Sequence, residues 1–124
     1  MGVAARHTAL PGDAFKVDFG TGYDVALMTN FLHHFDVPTC TTLLKKVAAS
    51  LKPGGRVAVL EFVPNEDRVS PPMAAMFAMQ MLGGTPSGDA FTLSELASML
   101  KDAGFATVSS HPLQGPETVV VGTK

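Results

Sequence analysis

One stretch limits the possible folds more than any other. RVAVLEFV, residues 56–63, is apolar except for Arg56 at its start and Glu61 near its end. It is short, follows Lys52-Pro53-Gly54-Gly55 and precedes a turn from Asn65 to Pro72, so it reads as a strand. YDVALMTN, residues 23–30, has the same character and reads as a second buried strand. Between the two, Pro38 suits the first turn of a helix, where its missing N–H costs nothing. TCTTLLKKVAASL then places Leu43, Leu44, Val47, Ala48 and Leu51 on one face. A strand, a helix and a strand in that order predict an α/β sheet with helices on at least one face.

The remaining elements extend this pattern. Residues 5–10, ARHTAL, form a weak strand candidate that ends at Pro11-Gly12. PMAAMFAMQML, residues 72–82, is a strongly apolar helix that Gly83-Gly84 should end. Thr92 is a good N-cap, and Glu95 three residues on completes a capping box. That helix, residues 93–103, closes at Gly104. Residues 105–111 and 117–122 read as two last strands. The five-residue link PLQGP makes them antiparallel neighbours. The predicted order is β-β-α-β-α-α-β-β within a single domain, residues 1–124.

Composition excludes several function classes. With 46% hydrophobic and 16% charged residues, the chain can bury a core. The net charge is -2 with no basic stripe, which argues against nucleic acid as a partner. Apolar runs are too short to span a bilayer, and the N-terminus shows no apolar signal segment. The single cysteine, Cys40, excludes an internal disulfide and fits a reducing cytoplasm. No histidine or cysteine spacing suggests a metal. Five of the seven methionines fall between Met73 and Met99, a bias that suits a ligand-facing surface.

Four motifs then line up: GDAF at Gly12–Phe15, YDVALMTNFLHHF at Tyr23–Phe35, LKPGGRVAVLEFV at Leu51–Val63, and DAGF at Asp102–Phe105. Cys40 follows His33 by seven residues. In this order and spacing they resemble the C-terminal part of a class I S-adenosylmethionine-dependent methyltransferase of the small-molecule O-methyltransferase type. That group includes plant phenylpropanoid and bacterial polyketide and carotenoid enzymes. The resemblance implies a partial Rossmann-like methyltransferase sheet, mostly parallel with the last strand antiparallel, flanked by helices and with its first strands missing. It implies S-adenosylmethionine as cofactor and a small-molecule substrate. The family's Gly-rich cofactor loop and ribose-binding acid are expected upstream of residue 1, and no Gly-x-Gly-x-Gly run occurs in these residues.

The resemblance also assigns roles. His33 matches the general base that takes a proton from a substrate hydroxyl, a task suited to a group titrating at about 6.5. The plainer alternative is that His33 and His34 simply end a strand. Glu61 is implied as the acid that orients His33; otherwise it is a charge at the solvated end of its strand. A second acid is expected near Asp89-Ala90, where the aligned position is Ala90 and Asp89 is the remaining carboxylate. Asp13 and Phe15 match residues that meet the adenine of the cofactor, although Gly-Asp is also an ordinary turn. Thr29 and Asn30 are further cofactor candidates. Met73, Met76, Phe77 and Gln80 lie on the helix that lines the family's substrate pocket, with core packing as the plainer role.

The family sheet runs 3-2-1-4-5-7-6, so without strands 1 and 2 residues 23–30 become an open hydrophobic edge. A homodimer, a partner chain or residues 5–10 should cover it. Three functions compete: part of an O-methyltransferase that is inactive alone, a non-catalytic self-associating or ligand-binding module, and a decayed product.

Overall fold

The structure, a computed structural model, describes residues 2–124. A four-stranded sheet is built from β1 (Tyr23–Thr29), β2 (Leu51–Glu61), β3 (Thr107–Pro112) and β4 (Thr118–Thr123), ordered β1-β2-β4-β3. β1 pairs with β2 in parallel, while β4 pairs antiparallel with both β2 and β3. Three strands therefore run one way and the last opposes them, as expected. The helices are α1 (Val37–Ser50), α2 (Pro72–Gly84) and α3 (Leu93–Asp102).

α1 and α3 form because their ends and faces agree. Asp36 caps α1 by accepting from the Thr39 N–H at 2.9 Å, and Pro38 sits in the first turn. At the other end, the Lys124 ammonium donates to the carbonyls of Ala48 and Leu51, where the helix dipole favours a cation. α3 carries the predicted capping box between Thr92 and Glu95. Both helices pack on the same face of the sheet. Leu43, Leu44 and Val47 from α1 and Leu96, Met99 and Leu100 from α3 meet Val57, Val59 and Val120 in one core. Gly122 lies beneath Leu100 and Phe105, where an added Cβ would come 3.1 Å from both side chains. The opposite face is less covered: Val25 and Leu27 are 62% and 71% exposed.

Several boundaries differ from the sequence reading. Residues 5–10 are not a strand: Ala4–Arg6 make a 3-10 turn and residues 7–10 have no regular structure. A strand needs a ladder partner, and this segment, one of the alternative covers expected for the β1 edge, does not pair with it. β2 starts at Leu51, not Arg56, because Tyr23 pairs with Leu51 and the Pro53-Gly54-Gly55 stretch bulges inside the strand. It ends at Glu61, the last residue paired to β4, so Phe62 and Val63 lie outside it. Gly83 and Gly84 belong to α2. The helix stops at Thr85, whose N–H and hydroxyl both return to the Met81 carbonyl, at 3.0 and 2.8 Å.

Candidate active site

The site sits where β1 and β2 end side by side. Asn30 continues the ladder through its N–H to the Leu60 carbonyl at 2.9 Å, then turns the chain with φ +51°. The turn aims the next amides at Glu61. The N–H groups of Phe31 and Leu32 donate to its Oε1 at 3.0 and 2.9 Å, and His33 Nδ1 lies 2.6 Å from its Oε2. Glu61 is 3% exposed and His33 5% exposed. An isolated carboxylate at such a depth would be costly, and three N–H donors offset that cost. Glu61 is therefore no solvated strand end, and His33 does more than terminate β1.

The arrangement fixes which nitrogen is free. With the carboxylate as acceptor, the proton of neutral His33 sits on Nδ1. Nε2 has no hydrogen bond within the described residues, and among them no buried polar side-chain atom lacks a partner. Nε2 is therefore not fully sealed and is free to act as a proton acceptor. The ring meets Phe77 edge-on, with centroids 4.7 Å apart and planes at 85°, and Phe77 stacks on Phe62 at 4.2 Å. Behind the dyad, the Cys40 thiol donates to the Leu32 carbonyl at 3.2 Å. Burial, then the negative charges of Glu61 and Asp36, push that thiol up to about 12, so Cys40 serves packing and not nucleophilic chemistry.

The other candidates are placed less closely. Asp13 makes a local turn: its Oδ1 accepts from the Phe15 N–H at 2.9 Å, and its Oδ2 lies 3.8 Å from Lys16. Phe15 meets Phe35 edge-on at 5.1 Å. Thr29 and Asn30 are exposed at the carboxyl end of β1. On α2, Met73 and Met76 are 56% and 61% exposed and Gln80 is exposed, so they do not pack in the core. Of this group, Phe77 meets the His33 ring. An apolar hollow of about 550 Å³ runs along β1, lined by Leu10, Phe19, Val25 and Leu27 among others, and His33 is not part of its wall. Among the described residues no cluster of three or more His, Cys, Asp or Glu side chains is arranged to hold a metal. Asp89 does not act on the histidine ring. Its carboxylate pairs with Arg68 at 3.3 Å and accepts from the Ala90 N–H, and Ala90 itself is buried. Arg68 carries no periodic or motif signal in the sequence.

A sheet ordered β1-β2-β4-β3 with a reversed last strand, and a carboxylate-held histidine at its carboxyl edge, defines the C-terminal half of a class I methyltransferase fold. The model for the O-methyltransferase domain matches residues 2–106. The chain is 31% identical over 101 residues to the tetracenomycin polyketide 8-O-methyltransferase of Streptomyces glaucescens, covering 82% of this chain and 30% of that one. A crystal structure assigned as an O-methyltransferase of Nostoc punctiforme superposes with TM-score 0.97 at 48% identity, over 99% of this chain and 38% of that one. Human N-acetylserotonin methyltransferase in complex with SAM superposes with TM-score 0.85 at 26% identity, over 91% and 32%. The chain belongs to the O-methyltransferase domain family. It spans about a third of the length of these relatives.

Proposed function

We propose that these residues form the acceptor-activating side of an S-adenosylmethionine-dependent O-methyltransferase acting on a small-molecule hydroxyl. The observation that carries this reading is the Glu61-held His33, with Nδ1 tied at 2.6 Å and Nε2 left free. S-adenosylmethionine, when bound, supplies a methyl group activated by a sulfonium. His33 Nε2 accepts the hydroxyl proton as the substrate oxygen becomes nucleophilic. Glu61 keeps the ring in the Nδ1–H form and stabilises the imidazolium that results. Phe77, and less directly Met73, Met76 and Gln80, present a surface that would hold an apolar substrate beside Nε2.

The residues fit one end of the cofactor. Asp13 Oδ2 lies 3.8 Å from the Lys16 ammonium and its side chain is 47% exposed, so it can receive an amino group. Phe15, Thr29 and Asn30 are the accompanying candidates. Nothing in the sequence provides a Gly-rich loop for the methionine end. The 124 residues alone are therefore inactive in this reading, because positioning of the two reactants supplies much of the rate. A cytoplasmic setting accords with the single, reduced, buried thiol, and no helix among the described residues is long and apolar enough to cross a membrane.

A second reading is a self-associating module, and the exposed β1 favours it: Val25 and Leu27 lie on a strand with one unpaired edge. One experiment separates the two. Residues 2–124 replace the matching segment of the Nostoc punctiforme protein, and methyl transfer from labelled S-adenosylmethionine is scored over a panel of hydroxylated aromatics. The enzyme reading expects turnover that His33→Ala lowers about 100- to 10,000-fold while cofactor binding persists. Turnover indifferent to His33→Ala contradicts it. Calorimetry on the isolated chain should show no cofactor heat; micromolar binding would overturn the claim that this stretch lacks a working cradle.

A further inference from the structure

His33 is anchored a second time, through its main chain. Its carbonyl accepts from the Asp89 N–H at 3.0 Å. Gly88 stands so close that an added Cβ would collide with that carbonyl and with the Thr85 hydroxyl. The Thr85 hydroxyl also receives the Gly88 N–H at 2.7 Å. The turn after α2 thus cradles the histidine backbone.

That turn is held from its far side by one residue. The Arg68 guanidinium spans two carboxylates, Asp89 at 3.3 Å and the capping-box residue Glu95. Arg68 is aimed by a loop that its neighbours fix. Asp67 accepts from the N–H groups of Val69 and Ser70, Asn65 N–H donates to the Ser70 carbonyl, and Arg68 itself has φ +59°. A non-glycine residue in the left-handed region persists only where its surroundings dictate it. Glu66 docks the same loop on α3 through the Ser94 N–H and hydroxyl, at 3.2 and 2.8 Å.

The two segments that Arg68 joins are the two flanks of α2. Only Ala74 of that helix is buried, so packing alone fixes it weakly. Yet α2 carries Phe77, the ring that meets His33.

We propose that Arg68 is a positioning residue for His33: it latches the two flanks of α2 together, which sets the Gly88-Asp89 cradle under the histidine carbonyl and Phe77 against its ring. The catalytic meaning of the latch rests on the proposed role of His33; its structural meaning does not. Asp89 is then a strut for the site and not a second acid. Lysine is a poor replacement, because a point charge cannot bridge two carboxylates as a planar fork does.

The test is Arg68→Met in the 124-residue chain, read by amide exchange and by the imidazole signals of His33. Partly exposed ion pairs of this kind contribute little globally, so the unfolding midpoint should hardly move. The Asp89 amide should exchange about fivefold faster, and the His33 ring signals should shift. High salt should move the native protein part of the way toward the variant. Unchanged Asp89 exchange, or a uniform rise across all strands with a large fall in midpoint, overturns the proposal. Should Arg68→Met fail to fold, Asp89→Asn carries the same test, since it keeps the N–H and loses the ion pair. In the Nostoc chimera, Arg68→Met should lower turnover about tenfold at unchanged cofactor affinity, with partial rescue by Arg68→Lys. A chimera indifferent to His33 would sink the enzyme reading while leaving the exchange result intact.

Discussion

α3 and α2 follow one another in the chain, and the less hydrophobic of the two is the better buried. α3 has ten residues, a capping box, and Leu96, Met99 and Leu100 essentially sealed in the core. α2 has thirteen, most of them apolar, with no side-chain cap and Ala74 alone buried. Met73, Met76, Met79 and Leu82 are 56% to 80% exposed. Hydrophobicity alone therefore does not tell where a helix goes. Periodicity does: α3 concentrates its apolar residues on one face, while α2 is apolar nearly all round and offers the core no particular side. α3 holds the fold together; α2 holds a phenylalanine against a histidine.

The two helices should differ most in what their apolar side chains contribute to stability. Leu100→Ala should destabilise the chain by about 2–5 kcal/mol in chemical denaturation, whereas Met79→Ala or Leu82→Ala should stay within about 0.5 kcal/mol. Equal losses from both helices would remove the distinction. Next in size is the cap. Thr92→Ala should cost about 1 kcal/mol, with amide exchange rising first at Glu95, whose N–H lies 3.4 Å from the threonine hydroxyl. Amide exchange of the two helices in the native protein sharpens the contrast further, with α2 opening more readily than α3.

The smallest effect is one of pH. The Ser94 hydroxyl and N–H hold the Glu66 carboxyl below its ordinary 4.5. A depressed carboxylate contributes stability that is present above the unfolded value and lost as pH falls through the lower folded one. Acidification below about pH 4.5 should thus loosen the start of α3 before its core-facing turns, seen as earlier broadening of the Ser94 amide. Loosening at Ser94 on raising the pH instead would contradict the assignment.

How much of this was legible beforehand follows the same division. β1, β2, α1 and α3 announce themselves by period, caps and breakers, because burial and backbone hydrogen bonding dictate those patterns locally. The motif context pairs His33 with Glu61, and the parallel register, Thr29 beside Leu60, explains why they meet. Residues 5–10 failed as a strand because pairing depends on a neighbour that local sequence does not describe. The glycines of α2 failed as a stop because Thr85, not glycine, satisfies the last turn. The Arg68 latch had no sequence signal: it joins residues 21 and 27 apart through exposed side chains. Such long-range polar contacts are selected by geometry and not by any repeating pattern.

In the proposed site, Glu61 holds His33 with Nδ1 protonated and Nε2 bare. A long-range proton–nitrogen spectrum of the His33 imidazole at neutral pH measures this directly. The native chain should show the proton on Nδ1. Glu61→Gln, which turns an amide N–H₂ toward the ring, should move the proton to Nε2. A native spectrum with the proton already on Nε2, or one that Glu61→Gln leaves unaltered, would mean that the pair is not the proton-handling device described.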